Sequence, residues 1–413
     1  MSAVRRATRR TFGALRVRNF RIYLAGQLIS ISGTWMQAVA QGWLVLQLTN
    51  SGVALGIAIA LQFLPMLIAG TWGGLIVDRM SKRKILFFTQ GASGVLALVL
   101  GILVGIGRIH VWEVFVMAFC LGVVNLFDNP ARQSFVQEMV GRELLPNAVS
   151  LNSVLMNSGR IIGPAFAGAI IATIGIAACF FLNALSFIGV IVALALMRQR
   201  DLTPIRRVAR AKGQLREGFR YAFHNETISS VLIAVGIVGI FAFNFTVSLP
   251  LLARVTFHGN AATYGVFMAA MGIGAVVGGL TVAHRSKPSV AMLAVLCLTF
   301  GILLLGVAVA PSEWVAIVLL VPMGAASIAF VSTANATLQL VSDEEMRGRV
   351  MSLFGIGFLG STPIGAPLIG LICMASSPRF GLALGGVATV LATVPLLLSA
   401  RKTQPDKRLD LAL

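Results

Sequence analysis

Gly74-Leu75-Ile76-Val77-Asp78-Arg79-Met80-Ser81-Lys82-Arg83-Lys84 separates two strongly apolar runs of the chain. Charge this dense between two such runs marks a short turn at a membrane surface, with a bilayer crossing on either side. A degraded copy lies about 205 positions on: Gly278-Gly279-Leu280-Thr281-Val282-Ala283-His284-Arg285-Ser286-Lys287 aligns with Gly73 to Lys82. A chain of 413 residues that repeats itself at half its length consists of two related halves. Where both halves are apolar helices, the predicted architecture is a two-bundle transporter.

Composition points the same way. Hydrophobic residues make up 57% of the chain and charged residues 11%, with mean hydropathy +0.89, against roughly 25% charged in a soluble domain. We read about twelve apolar runs of ~20 residues or more, each long enough to cross a bilayer as a helix. A net charge of +19 would suit a nucleic-acid binder, but its placement argues otherwise. Of 33 Lys and Arg, 28 fall in one alternating set of connections: the N-terminal arm, the 78–84 turn, Arg132 with Arg142, the central linker, the 284–287 turn, Arg347 with Arg349, and the tail. The other set holds Arg108, Arg254 and Arg379. This positive-inside pattern predicts an even number of spans in a cytoplasmic (inner) membrane, with both termini and the linker cytoplasmic.

The layout that follows is a basic cytoplasmic arm (1–19), a six-helix bundle (20–197), a basic cytoplasmic linker (198–227), a second six-helix bundle (228–400) and a cytoplasmic tail (401–413). The arm is Arg-rich and acid-free, which suits anionic lipid. The first apolar run is too long for a signal peptide and lacks a small-residue cleavage site. In the linker, Leu215, Phe219 and Phe223 recur at helical spacing and predict an amphipathic surface helix, which either couples the halves or rests on lipid. Cys120, Cys179, Cys297 and Cys373 sit inside apolar runs without CxxC spacing and read as small core residues. With no Walker A run, no HExxH and no credible Ser-His-Asp set, we expect neither an enzyme nor a cofactor. The four histidines lie at span ends or in loops, so no metal cluster is expected in the bundle.

The stretch Gly74-x3-Asp78-Arg79-x-Ser81-Lys82-Arg83-Lys84 resembles the signature between the second and third helices of the major facilitator superfamily, Gly-x3-Asp-Arg-x-Gly-x-(Arg/Lys)-(Arg/Lys), and departs from it at Ser81. The resemblance covers residues 20–400 and implies an all-α membrane fold of twelve transmembrane helices in two pseudo-symmetric six-helix bundles. It also implies a conformational latch built from Gly74, Asp78, Arg79, Lys82, Arg83 and Asp128. In such a latch Asp78 caps a second-half helix in the outward-facing state, and Lys82 meets Asp128 on the fourth helix. The second copy has Ala283 where Asp would stand, so the latch is expected on one side only. The plainer alternative is a topology signal alone.

Phe127-Asp128-Asn129-Pro130-Ala131-Arg132-Gln133-Ser134-Phe135, Gly159-Arg160-Ile161-Ile162-Gly163-Pro164-Ala165-Phe166-Ala167-Gly168 and Arg347-Gly348-Arg349-Val350-Met351-Ser352 resemble the enterobactin-exporter and macrolide-efflux branch. Gly159, Gly163, Pro164 and Gly168 are also similar to the fifth-helix antiporter signature, with Ala167 in place of one glycine; this implies export by proton exchange. A kinked packing helix is the structural alternative, and Pro363 and Pro367 answer in the second half.

Arg160 lies deep in its run and should face protein or water and find a partner, either Asp128 or a substrate anion. Deep acids are otherwise missing, since Glu113 and Glu313 sit at outer span ends. Asp128 and Arg160 are therefore both candidates for coupling or substrate contact, and which residue takes the proton stays open. Trp35, Gln37 and Gln41 on the first span could line a cavity with Asn244 and Asn335 for a large, partly aromatic substrate. We therefore expect a secondary active transporter, with proton-driven efflux of a drug, macrolide-like compound or siderophore as the leading reading. Its partners would be the bilayer, the substrate and protons, with no nucleic acid, and by resemblance it would be a monomer. Uptake, lipid flipping, or a non-transporting scaffold or sensor are the alternatives.

Overall fold

A computed structural model describes residues 13–203, 214–284 and 288–403. Most of the expected arm and tail, part of the linker, and Arg285 with Lys287 lie outside the described residues. Among the described residues the chain is helical and holds no strand. The first half comprises α1 (Arg18–Thr49), α2 (Gly52–Arg79), α3 (Lys82–Gly105), α4 (Val111–Thr173) and α5 (Ile176–Leu196). A short helix α6 (Gln214–His224) precedes α7 (Glu226–Phe241), α8 (Phe245–Leu251), α9 (Ala261–His284), α10 (Val290–Ala308), α11 (Glu313–Val341), α12 (Glu344–Phe358), α13 (Thr362–Ala375) and α14 (Pro378–Thr403).

Ten of these helical segments are long and apolar enough to cross a membrane. One is α7 joined through α8 to a π-helical turn (Glu226–Thr256), and another joins α12 to α13 (Glu344–Ala375). The 63-residue α4 is counted once, yet at ~1.5 Å per residue it would stretch about 95 Å, far beyond one hydrocarbon core. It breaks at Gly141, whose φ of 70° and ψ of −178° belong to a region that only glycine enters cheaply. The two arms are the fourth and fifth spans. Adding α1, whose 32 residues suffice in length but carry Gln27, Ser30, Gln37 and Gln41, gives a number consistent with the twelve that the sequence predicts.

Side-chain placement is that of a lipid-facing protein. Trp72, Phe88, Ile68 and Val318 are largely exposed, while Gln27, Thr89, Gln90, Asp128 and Asn183 are buried. Exposed Trp112 and Trp314 each stand beside the acid that opens a helix, Glu113 in α4 and Glu313 in α11, as expected for aromatic anchors at an interface. Glu113 also accepts from the His110 backbone N–H at 2.7 Å, so its role there is capping.

Glycines set the helix crossings, because association in lipid depends on close van der Waals approach. A methyl group on Gly73 of α2 would lie 2.9 Å from the Leu126 carbonyl of α4, and one on Gly278 of α9 would overlap the Ala325 carbonyl of α11. These are the same crossing made twice, once in each half, and they give the half-chain repeat a three-dimensional register. Asp128 then corresponds to Ser327, and Arg132 to Val331.

The chain divides into two compact units. One holds the residues up to Ala209 together with Gly259–Ala269; the other holds Arg210–His258 and the residues from Ala270 onward. The segment Gly259–Ala269 groups with the first unit, where Gly265 lies against the Pro164 carbonyl and Gly168.

Candidate functional site

The densest polar cluster of the first unit is centred on Asp128. Hydropathy ends the fourth span near this residue, but the helix runs on to Gly141, thirteen residues and about 20 Å further. Asp128 is therefore an interior residue, with 4% of its surface exposed. Arg132, one turn on, is turned inward and is not the connection residue its charge suggested. Its Nε and Nη2 donate to Asp128 Oδ2 at 3.0 and 2.5 Å, and its Nη1 donates to Gln27 Oε1 of α1. The other carboxylate oxygen, Oδ1, accepts from Thr89 Oγ1 at 2.7 Å and Gln90 Nε2 at 2.8 Å, both on α3. Three helices thus meet on one ion pair. Tyr23 and Phe135, packed edge to face with centroids 5.9 Å apart, belong to the buried apolar cluster of the same bundle, with Ala131 and Val136.

Such a pair in low dielectric is stable only while both members stay together. Removing one strands the other at a cost of about 3–5 kcal/mol. The cluster is also incompletely satisfied: Gln27 Nε2 and Gln90 Oε1 are buried without a hydrogen-bond partner among the described residues. Each such group typically costs about 1–3 kcal/mol, and a chain tolerates it where function demands it.

The turn between α2 and α3 is arranged differently from the expected latch. Lys82 Nζ lies 3.9 Å from Glu138 Oε1 on the first arm of α4, and it donates to the carbonyls of Asp78 and Met80 at 3.3 Å. Its acidic partner is thus Glu138 and not Asp128, whose oxygens are taken by Arg132, Thr89 and Gln90. Arg83 donates to the Leu194 carbonyl of α5 at 3.0 Å and covers the Phe87 ring. Asp78 and Arg79 are exposed at the end of α2, and Gly74 is half-buried there.

Arg160 is not paired with Asp128. Its guanidinium lies 4.9 Å from the centroid of the Trp35 ring on α1. Gly159 and Gly163 bring the second arm of α4 onto Ile31, Ser32 and Trp35 of α1, closer than any side chain would allow. Pro164 has no N–H, so the Arg160 carbonyl loses its helical donor.

The chain matches the family model described as "Transmembrane secretion effector" over residues 9–410. It belongs to that family. Members are membrane transporters of the major facilitator superfamily, so this is a multi-pass membrane protein acting on small molecules, and not an enzyme. It is similar to a staphyloferrin A transporter of Staphylococcus aureus, with 24% identity over 92% of this chain and 96% of the relative. It is also similar to the enterobactin exporter EntS of Shigella boydii, with 27% identity over 94% of each chain. The multidrug efflux pump Tap of Mycolicibacterium fortuitum is 25% identical over 91% of this chain and 93% of that one. In fold, it superposes on a bacterial homologue of the iron transporter ferroportin in an inward-facing state, with TM-score 0.73 at 14% identity over 93% of this chain and 98% of that one. It also superposes on a bacterial homologue of the lysosomal transporter Spinster, with TM-score 0.70 at 15% identity over 94% and 95%.

The remaining candidate residues of this family member are dispersed. Gln37 is buried and accepts from Asn183 Nδ2 of α5 at 2.6 Å, so it joins two helices of the first unit. Gln41, one turn on, is buried as well. Asn244 is buried in the break between α7 and α8, where its Nδ2 donates to the Ile240 carbonyl at 2.7 Å. Asn335 of α11 is half-buried and accepts from Gln339. Pro363 stands in the first turn of α13, a position that needs no N–H, and Pro367 lies within it. Gly168 meets Ala262, in the segment that groups with the first unit. Sequence reasoning missed Glu138, Thr89, Gln90 and Gln27 as partners. Asp128 itself was singled out, and its i, i+4 spacing to Arg132 is the signal that points to its partner.

Proposed function

We propose that this protein exports hydrophobic or amphipathic small molecules, of the drug, macrolide-like or siderophore kind, across a cytoplasmic membrane by alternating access, driven by proton entry. The observation that carries the coupling step is the buried Asp128–Arg132 pair. The Asp128 carboxylate accepts from four donors while the pair is closed. A proton delivered to Asp128 cancels the charge that retains Arg132, so the guanidinium must find another acceptor and α1, α3 and α4 lose their common anchor. Proton loss on the other side restores the pair. One proton transfer thereby shifts the balance between two arrangements of the first unit, as an alternating-access cycle requires. The uncharged counterparts Ser327 and Val331 support locating this step in the first half alone.

Export is favoured over uptake by the family description and by relatives named as an enterobactin exporter and a multidrug efflux pump. The turn that holds Gly74, Asp78, Arg79, Lys82 and Arg83 serves as the latch, with Glu138 as the acid that Lys82 engages. Both termini are cytoplasmic and the working unit is a monomer without a cofactor. The test is accumulation of fluorescent amphiphiles in cells expressing the chain or its Asp128→Asn variant, with and without a protonophore. Lower accumulation with the intact chain, lost with the protonophore or the variant, is expected. Higher accumulation would indicate uptake, and none that depends on the chain would remove the export reading.

A further inference from the structure

We infer that Arg160 and Trp35 form an anion-selective subsite for the transported molecule, which therefore carries a carboxylate on an aromatic or conjugated body. The inference rests on the export reading and narrows its substrate class.

Both residues lie mid-helix. Trp35 is seventeen residues from Arg18 and fourteen from Thr49, and Arg160 is thirteen from Thr173, so each is about 20 Å or more from the nearest of these ends. Both are half-buried. The glycine crossing of α4 on α1 holds their two backbones at fixed separation, as a binding site requires.

Among the described residues Arg160 makes no ion pair and no hydrogen bond; its partner is the Trp35 ring. The contrast with the other cations of the same unit is direct, since Arg132 has Asp128 and Lys82 has Glu138. A ring beneath a guanidinium satisfies one face of the charge and none of its five N–H groups, which radiate in the plane. What remains is a fork of donors at the edge, matched in shape to a carboxylate. The Trp35 ring adds an aromatic surface next to the fork. A permanent cation at this depth repels cationic amphiphiles.

Packing does not require the charge. In the second unit Gly365 of α13 meets the Ile240 carbonyl of α7 as Gly163 meets that of Ser32. In this register Phe243 stands for Trp35 and Thr362 for Arg160. Phe243 packs with Phe358 and Phe300, centroids 5.0 and 5.5 Å away. Phe243 lies just past the end of α7 and Thr362 opens α13, so the Gly365–Ile240 approach is made with no cation at the corresponding position, and close packing alone does not call for Arg160.

The test uses the full chain in lipid nanodiscs, with empty nanodiscs subtracted, and two probes that share a ring system: 3-hydroxy-2-naphthoate and its neutral amide. Titration calorimetry requires no gradient, so its outcome is separate from that of the export assay. The intact chain is expected to bind the carboxylate more tightly than the amide. Arg160→Gln should weaken the carboxylate at least tenfold and move the amide less than twofold. Arg160→Lys, which keeps charge without the planar fork, should fall between. Equal weakening of both probes, an unchanged carboxylate affinity, or no carboxylate binding by the intact chain would overturn the inference.

Discussion

Asp128 and Arg132 stand one turn apart on the same helix and close a two-point ion pair inside the first unit, with Oδ2 2.5 Å from Nη2 and 3.0 Å from Nε. Because α1 and α3 hydrogen-bond to the same two side chains, the pair is both a local contact and a junction of three helices. That double role separates its expected mutational behaviour from that of the surface charges.

Asp128→Asn and Arg132→Gln should each lower the stability of the purified protein by about 3–5 kcal/mol, since each strands a buried partner. The double variant should be more stable than either single one, because nothing charged is left unpaired. Thermal unfolding of the four proteins in detergent checks this, and plain additivity of the two losses would count against a coupled pair.

Lys82 and Glu138 should behave differently. Their side chains are 12% and 13% exposed, but the 3.9 Å separation is loose. Lys82→Gln or Glu138→Gln should cost at most about 1 kcal/mol of stability. If the contact belongs to the latch, each single variant lowers transport, and the exchange Lys82→Glu with Glu138→Lys restores part of it. Transport assays on the three variants at matched expression decide this.

Gly274 of α9 has no room for a side chain, because a Cβ would overlap the Val321 carbonyl of α11. Gly274→Val should destabilise by about 1–3 kcal/mol or prevent folding, as overpacking does. Gly91 of α3 has open space around it, so Gly91→Ala should be neutral or stabilising by up to about 1 kcal/mol. Apparent melting temperatures that move the same way in both would contradict this reading.

Gly141→Ala puts a methyl group on a residue at φ 70° and ψ −178°. Space is not the obstacle, since nothing lies within 4 Å of that Cβ. The backbone is, at roughly 1–3 kcal/mol. A lower melting temperature for Gly141→Ala is the expected result.

The repeat, the membrane-crossing helices and the turn at 78–84 were legible because each is a property of the one-dimensional pattern. Hydrophobic run length marks a crossing, and charge between runs marks a turn. The candidate site was only partly legible, for reasons seen at particular residues. Its charge made Arg132 look like a connection residue beside Arg142. The helix continues because the aliphatic and aromatic face of Phe135, Val136, Met139 and Val140 is buried within the bundle. Gln37 looked like a cavity residue because it is polar in an apolar run. Which face of α1 it occupies is decided by Gly26 and Gly33 packing on α5, and this turns Gln37 toward Asn183. Trp35 and Arg160 are 125 positions apart, and their stacking follows from the Gly163 crossing.

The measurement that bears most directly on the account is substrate-dependent proton release from acid-loaded everted membrane vesicles containing the chain, followed with a pH-sensitive dye as a transported amphiphile is added. Release is expected with the intact chain and none with Asp128→Asn, while Gly91→Ala behaves like the intact chain. Substrate accumulation in the vesicles without any proton movement, or equal release by Asp128→Asn, would contradict it.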